Sequence, residues 1–152
     1  MLDLDLILAI AHHLAVFSVF GLLLAEVVLL RPGITGDNIR QLGLIDSLYG
    51  AASVLVIIAG VSRVIWGAAG WEYYVANWAF WAKMAAFIVV GLLSIAPTIS
   101  VLRWRRELAA NPGFSPDAAQ VSMLRRFFTG ELIAFAFIPA FAAMMARGYG
   151  AM

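Results

Sequence analysis

The chain has no cysteine, one lysine and two histidines among its 152 residues. Without cysteine there can be no disulfide, no thiolate metal site and no cysteine nucleophile. Charge is scarce as well: 12% of residues are Asp, Glu, Lys or Arg, against about 25% in soluble domains. Phosphate-binding glycine loops, serine triads and nucleotide fingerprints are absent, and so are internal repeats and low-complexity segments. The opening Met1-Leu-Asp-Leu-Asp5 is acidic where a secretory signal would be basic. No small-residue cleavage site closes the first apolar run, which therefore reads as a retained membrane helix.

Apolar residues fill the gap, at 64% of the chain. A bilayer core of about 30 Å needs about 20 helical residues. Four segments meet that length: about 5–30, 44–67, 76–102 and 123–146. They predict an all-α integral membrane four-helix bundle, a single transmembrane domain over 1–152. Arg31-Pro32-Gly33 with Gly36-Asp37-Asn38, then Gly67 to Gly70, then Asn111-Pro112-Gly113 separate the spans. In the third connection Ser115-Pro116 has the pattern of an N-cap followed by proline in the first helical turn. The fourth helix is therefore expected to begin near Pro116, ahead of its membrane entry.

Arginine orients the bundle. The first connection brings Arg31 and Arg40; the third brings Arg103, Arg105, Arg106, Arg125 and Arg126, whereas the N-terminal tail and second connection bring Asp3, Asp5 and Glu72. Positive charge stays inside, so both termini are expected outside, in a multi-pass protein that in a bacterium would lie in the inner (cytoplasmic) membrane. Trp66, Trp71, Tyr73, Tyr74, Trp78 and Trp81 read as an aromatic belt at the outer interface, or as a wall for a planar ligand. The arginines suit anionic lipid head groups. Nothing supports a nucleic-acid role.

Ionisable residues inside the spans are the candidate site, since an idle ammonium near a bilayer centre costs about 3 kcal/mol or more. At about 1.5 Å per residue, His12 and His13 lie about 10–13 Å below the outer surface, at a depth similar to Lys83. Arg63 and Arg147 sit near the outer ends of the second and fourth helices. A second polar layer, Glu26, Asp46 and Glu131, lies toward the other face, where it could pair with arginines, cap helices or carry protons. Helical phase aligns His12, Ala15, Val19, Leu23 and Glu26; Asp46, Gly50, Ser53 and Gly60; Lys83, Phe87, Val90, Ser94 and Pro97; and Glu131, Phe135, Ile138, Ala142 and Met145. His13, Phe17, Phe20 and Leu24 form a neighbouring stripe.

Imidazole is the commonest protein ligand for haem iron, copper or zinc, which makes His12 and His13 the candidate metal ligands. One helix does not easily turn both toward one metal. Lys83 can pair with a carboxylate or propionate, or ligate iron as a neutral amine. Arg63 and Arg147 suit haem propionates through charge-assisted hydrogen bonds, and Phe17, Phe20, Phe80 and Phe87 could pack on a macrocycle. No catalytic residue stands out.

Several runs together resemble a family of short bacterial membrane proteins known as domain of unknown function 2214. They are Ala11-His12-His13-Leu14 through Gly21-Leu22 and Glu26, Asp46-x-x-Tyr49-Gly50, Asn77 to Lys83, and Leu93-Ser-Ile-Ala-Pro-Thr98. The likeness covers nearly the whole chain and implies four spans. A more distant likeness is to haem-containing membrane protoporphyrinogen oxidases and to copper-resistance D-type proteins. His12 or His13 ahead of Gly21-Leu22, and Trp81-Ala82-Lys83, match the oxidase pattern. That likeness implies axial haem ligation by these residues. It departs at Leu23-Leu24-Ala25-Glu26, where the oxidases have Pro-Arg-Leu.

The expectation is thus a b-type haem-binding membrane protein, with an oxidoreductase activity as one outcome. The alternatives are a non-catalytic assembly or partner subunit, or a small copper permease. Expected partners are the lipid bilayer, a membrane redox protein and a second copy of the chain. A homodimer would allow His12 and His13 to share a site.

Overall fold

A computed structural model describes residues 3–150. It contains helices α1 (Leu4–Leu29), α2 (Gly36–Trp66), α3 (Trp71–Val75), α4 (Trp78–Ala110) and α5 (Ala118–Ala146). Among the described residues there is no β-strand, and α1, α2, α4 and α5 are each long and apolar enough to cross a bilayer. The all-α class and the four spanning helices agree with the sequence.

Side chains with local donors and acceptors set the helix starts. The Asp3 carboxylate accepts from Asp5 N–H, Thr35 Oγ1 from Asn38 N–H and Asn77 Oδ1 from Ala79 N–H. The expected cap at Ser115 is corrected by one turn chemistry winning over another. Asp117 caps α5, accepting from Gln120 N–H at 2.7 Å, and Ser115 instead donates to the Ile34 carbonyl. Asp is as good a cap as Ser and stands one residue past Pro116, so the helix begins at Ala118. Gly33 and Gly70, at φ +74° and +76°, make the turns that L side chains resist.

At 31 and 33 residues, α2 and α4 are longer than about 20 residues of bilayer core requires. Their surplus lies at one end of the bundle. Arg40, Arg103, Arg105 and Arg106 therefore ride on helical extensions, as do Arg125 and Arg126 on α5, and not in loops. The third connection shrinks to residues 111–117. At the opposite end the second connection contains α3, a short helical turn just ahead of the span expected from about residue 76.

The helices form two closely packed antiparallel hairpins, α1 with α2 and α4 with α5. Contacts across them, α2 with α4 and α1 with α5, are fewer. The packed core is concentrated at the arginine end, around Leu23, Ile39, Leu42, Val101, Trp104, Leu124 and Phe128. Toward the Trp-rich end the two hairpins leave a cavity between them. Large apolar side chains such as Leu14, Phe17, Leu55, Leu92 and Ile133 point outward, as a lipid-facing surface requires.

Candidate functional site

The cavity is about 450 Å³, within the usual range of small-molecule sites, and every helix contributes to its wall. Three basic residues line it: His12 from α1, Arg63 from α2 and Lys83 from α4. The remaining lining is apolar or aromatic, including Val19, Val56, Phe80, Phe87 and Phe135, with Tyr74 at the Trp-rich end; no carboxylate takes part. His12 Nδ1 and Arg63 Nε are buried and have no hydrogen-bond partner among the described residues. Lys83 Nζ lies 5.2 Å from the centre of the Phe80 ring, an approach that lets the ring face a cation.

Local sequence explains how these side chains arrive. His12 sits on the α1 stripe that continues through Ala15, Val19 and Leu23, all turned inward. Across from it α2 offers Gly60, where a Cβ would come 3.2 Å from His12 Cε1. Glycine thus makes room for the imidazole. Lys83 shares its face with Phe87, Val90, Ser94 and Pro97, again turned inward.

The residues expected near the cavity divide into two groups. His12, Arg63, Lys83, Phe80 and Phe87 are brought together. His13 is not: it faces outward, its Nδ1 2.6 Å from the Ala9 carbonyl, and does not line the cavity. Arg147 closes the end of α5, exposed and away from the lining. Phe17 is exposed, and Phe20 stacks on Phe135 with ring centres 5.4 Å apart. Of the six belt aromatics, Trp66, Trp71, Tyr73, Trp78 and Trp81 are exposed, whereas Tyr74 is buried and walls the cavity.

The acidic layer is buried. Glu26 and Glu131 are 1% and 0% exposed and Asp46 is 6%. Tyr49 Oη donates to Glu131 Oε2 at 3.2 Å, and Thr98 Oγ1 donates to Asp46 Oδ1 at 2.7 Å. The expected pairing with arginine does not occur: among the described residues the one ion pair within 4.0 Å is Arg40–Asp37, an exposed contact. Arginines reach lipid head groups and water more cheaply than this interior. Arg125 donates to the Leu30 carbonyl instead. The layer does not cap helices either, since the N-caps are Asp3, Thr35, Asn77 and Asp117. No group of three or more His, Cys, Asp or Glu side chains among the described residues is arranged to hold a metal ion.

The sequence does not mark Tyr49, Thr98, or the thioether residues Met84 and Met145 of the cavity wall as site residues. Tyr49 carried a signal, standing three residues after Asp46 on a helix and so on the same face. Gly50, expected on that face, is exposed.

The family model described as "Predicted membrane protein (DUF2214)" matches residues 4–150. The chain belongs to this family. No curated protein and no solved structure is significantly similar to it. Family membership agrees with four apolar helices in a membrane protein and leaves the chemistry to be argued from the side chains. Those side chains offer two distinct polar places, one basic and open, the other acidic and closed.

Proposed function

We propose that this membrane protein binds a b-type haem in the cavity between its two hairpins. The observation that carries the proposal is the convergence of His12, Arg63 and Lys83 on one apolar cavity without a carboxylate. An axial ligand for the iron, apolar walls for the macrocycle and cations for the propionates suit a haem, and each is among the lining residues. His12 would hold the iron, with an imidazole whose Nδ1 has no competing partner. Arg63 would take a propionate through charge-assisted hydrogen bonds. Lys83 would serve a propionate or the second axial position. When bound, the haem would supply one-electron redox chemistry. The protein's part is to orient the group and keep water from it.

The same proposal puts the cavity in the outer leaflet of a bacterial inner membrane, with both termini outside and a membrane protein as redox partner. A second reading has one observation in its favour: Met84 and Met145 join His12 in the lining, and thioether with imidazole suits copper(I). Arg63 and Lys83 weigh against it, because they repel an entering cation and attract an anionic ligand.

The test is an absorption spectrum with metal analysis of the detergent-purified full chain. A Soret band with stoichiometric iron is expected, lost in His12→Ala and retained in His13→Ala. Protein that stays colourless and iron-free after incubation with haemin would leave a non-catalytic partner subunit. Copper without iron would favour the second reading.

A further inference from the structure

The acidic layer is a separate place from the haem proposal and depends on none of it. On α1, Glu26 lies four turns from His12, and Val19 and Leu23 fill the space between as apolar core. Three carboxyls from α1, α2 and α5 meet here, all at least nine-tenths buried. Glu26 Oε1 and Glu131 Oε1 have no hydrogen-bond partner among the described residues. Two buried carboxyl oxygens lacking a donor are uncommon, since such groups are nearly always satisfied.

The groups facing the layer from each helix can be named. From α2 come Asp46 and Tyr49; from α4, Thr98, with the Arg105 charge felt at Asp46; from α5, Glu131, with Arg125 held by the Leu30 carbonyl. Arg105 runs its aliphatic stem past Gly43 and makes no ion pair within 4.0 Å. Only two hydrogen-bond donors, Tyr49 and Thr98, therefore serve three carboxyls. Three ionised carboxylates cannot share such a space without a compensating charge.

We propose that Glu26, Asp46 and Glu131 form a proton-binding site inside the membrane bundle, in which the unpartnered oxygens are those of neutral carboxylic acids. A proton on either Glu turns an orphaned acceptor into an O–H donor and removes a charge from the buried layer. The proton comes from solvent at the arginine end, where Asp46 is the least buried of the three, and returns there. The ligand is the proton itself; no other co-reactant is needed.

Infrared spectroscopy of the full chain in detergent at pH 7 tests this directly. The other six side-chain carboxyls lie at helix ends, exposed or half-exposed, so a protonated side-chain carboxyl in the wild type belongs to the layer. The expected result is a carboxylic-acid C=O band that shifts in D2O and loses intensity in Glu26→Gln or Glu131→Gln. Both variants should keep the wild-type helical circular dichroism, because an amide copies the shape and neutrality of the acid. A wild-type spectrum without that band overturns the proposal even if neither variant folds, as does a band untouched by all of Glu26→Gln, Glu131→Gln and Asp46→Asn. A band present in choline chloride but abolished in sodium chloride also overturns it, assigning the site to sodium.

Discussion

Neighbouring residues on a helix point about 100° apart, and His12 and His13 show what that does inside a membrane. One imidazole enters the cavity against Gly60; the other turns toward lipid and satisfies itself on the Ala9 carbonyl. Gly60 is the residue on which that difference rests. Gly60→Leu is expected to displace His12 and destabilise the protein by about 1–3 kcal/mol, as overpacking does. Thermal unfolding in detergent measures the cost, and a haem-loaded sample should lose Soret intensity alongside it. Tyr49 is the corresponding residue of the acidic layer. Tyr49→Phe removes the donor to Glu131 and is expected to cost about 1–3 kcal/mol in chemical unfolding. In a Glu131→Gln background the same change should cost less, because the two groups interact directly.

At the scale of elements, the termini of the helices do more than stop them. Asn77 caps α4 and also donates from Nδ2 to the Tyr149 carbonyl at 3.4 Å, while Trp78 N–H donates to the Gly150 carbonyl at 2.9 Å. The segment after α5 is thereby tied to the start of α4. Asn77→Ala is expected to destabilise the protein by about 0.5–2 kcal/mol, the usual range for a lost cap. Faster hydrogen exchange at the amides of Trp78 and Ala79 should accompany it. Span positions and inward stripes were legible in the sequence because a 3.6-residue period and a bilayer's thickness constrain them strongly. His12 with Lys83, and Glu26 with Glu131, fell on the expected faces for that reason. The partners of the polar groups were not legible. Pairing Asp46 with Thr98 depends on the register of α2 against α4, which neither helix encodes alone. The arginines misled similarly: their number orients a protein, but does not say whether they ride on helices or loops. Ser115 lost the cap to Asp117, two residues on, a margin that capping preferences do not resolve.

For the molecule as a whole, the proposed orientation has the arginine end in the cytoplasm. The absence of cysteine makes this simple to check, since any introduced thiol is the sole one. Ala68→Cys, in the second connection, is expected to react with an impermeant maleimide on intact cells or spheroplasts. Ser115→Cys should react only after the membrane is opened. The opposite pattern would invert the bundle and move the cavity to the inner leaflet.

Each hairpin buries most of its contacts within itself, and the turn at 67–70 joins the two. A chain built this way need not be continuous to be whole. Residues 1–69 and 70–152, made as two polypeptides in one cell, should insert separately and then find each other in the bilayer. Their reunion would depend on the sparse surface around the cavity, so a ligand bound there, such as the proposed haem, should act as an adhesive, and copurification of the halves should report its occupancy.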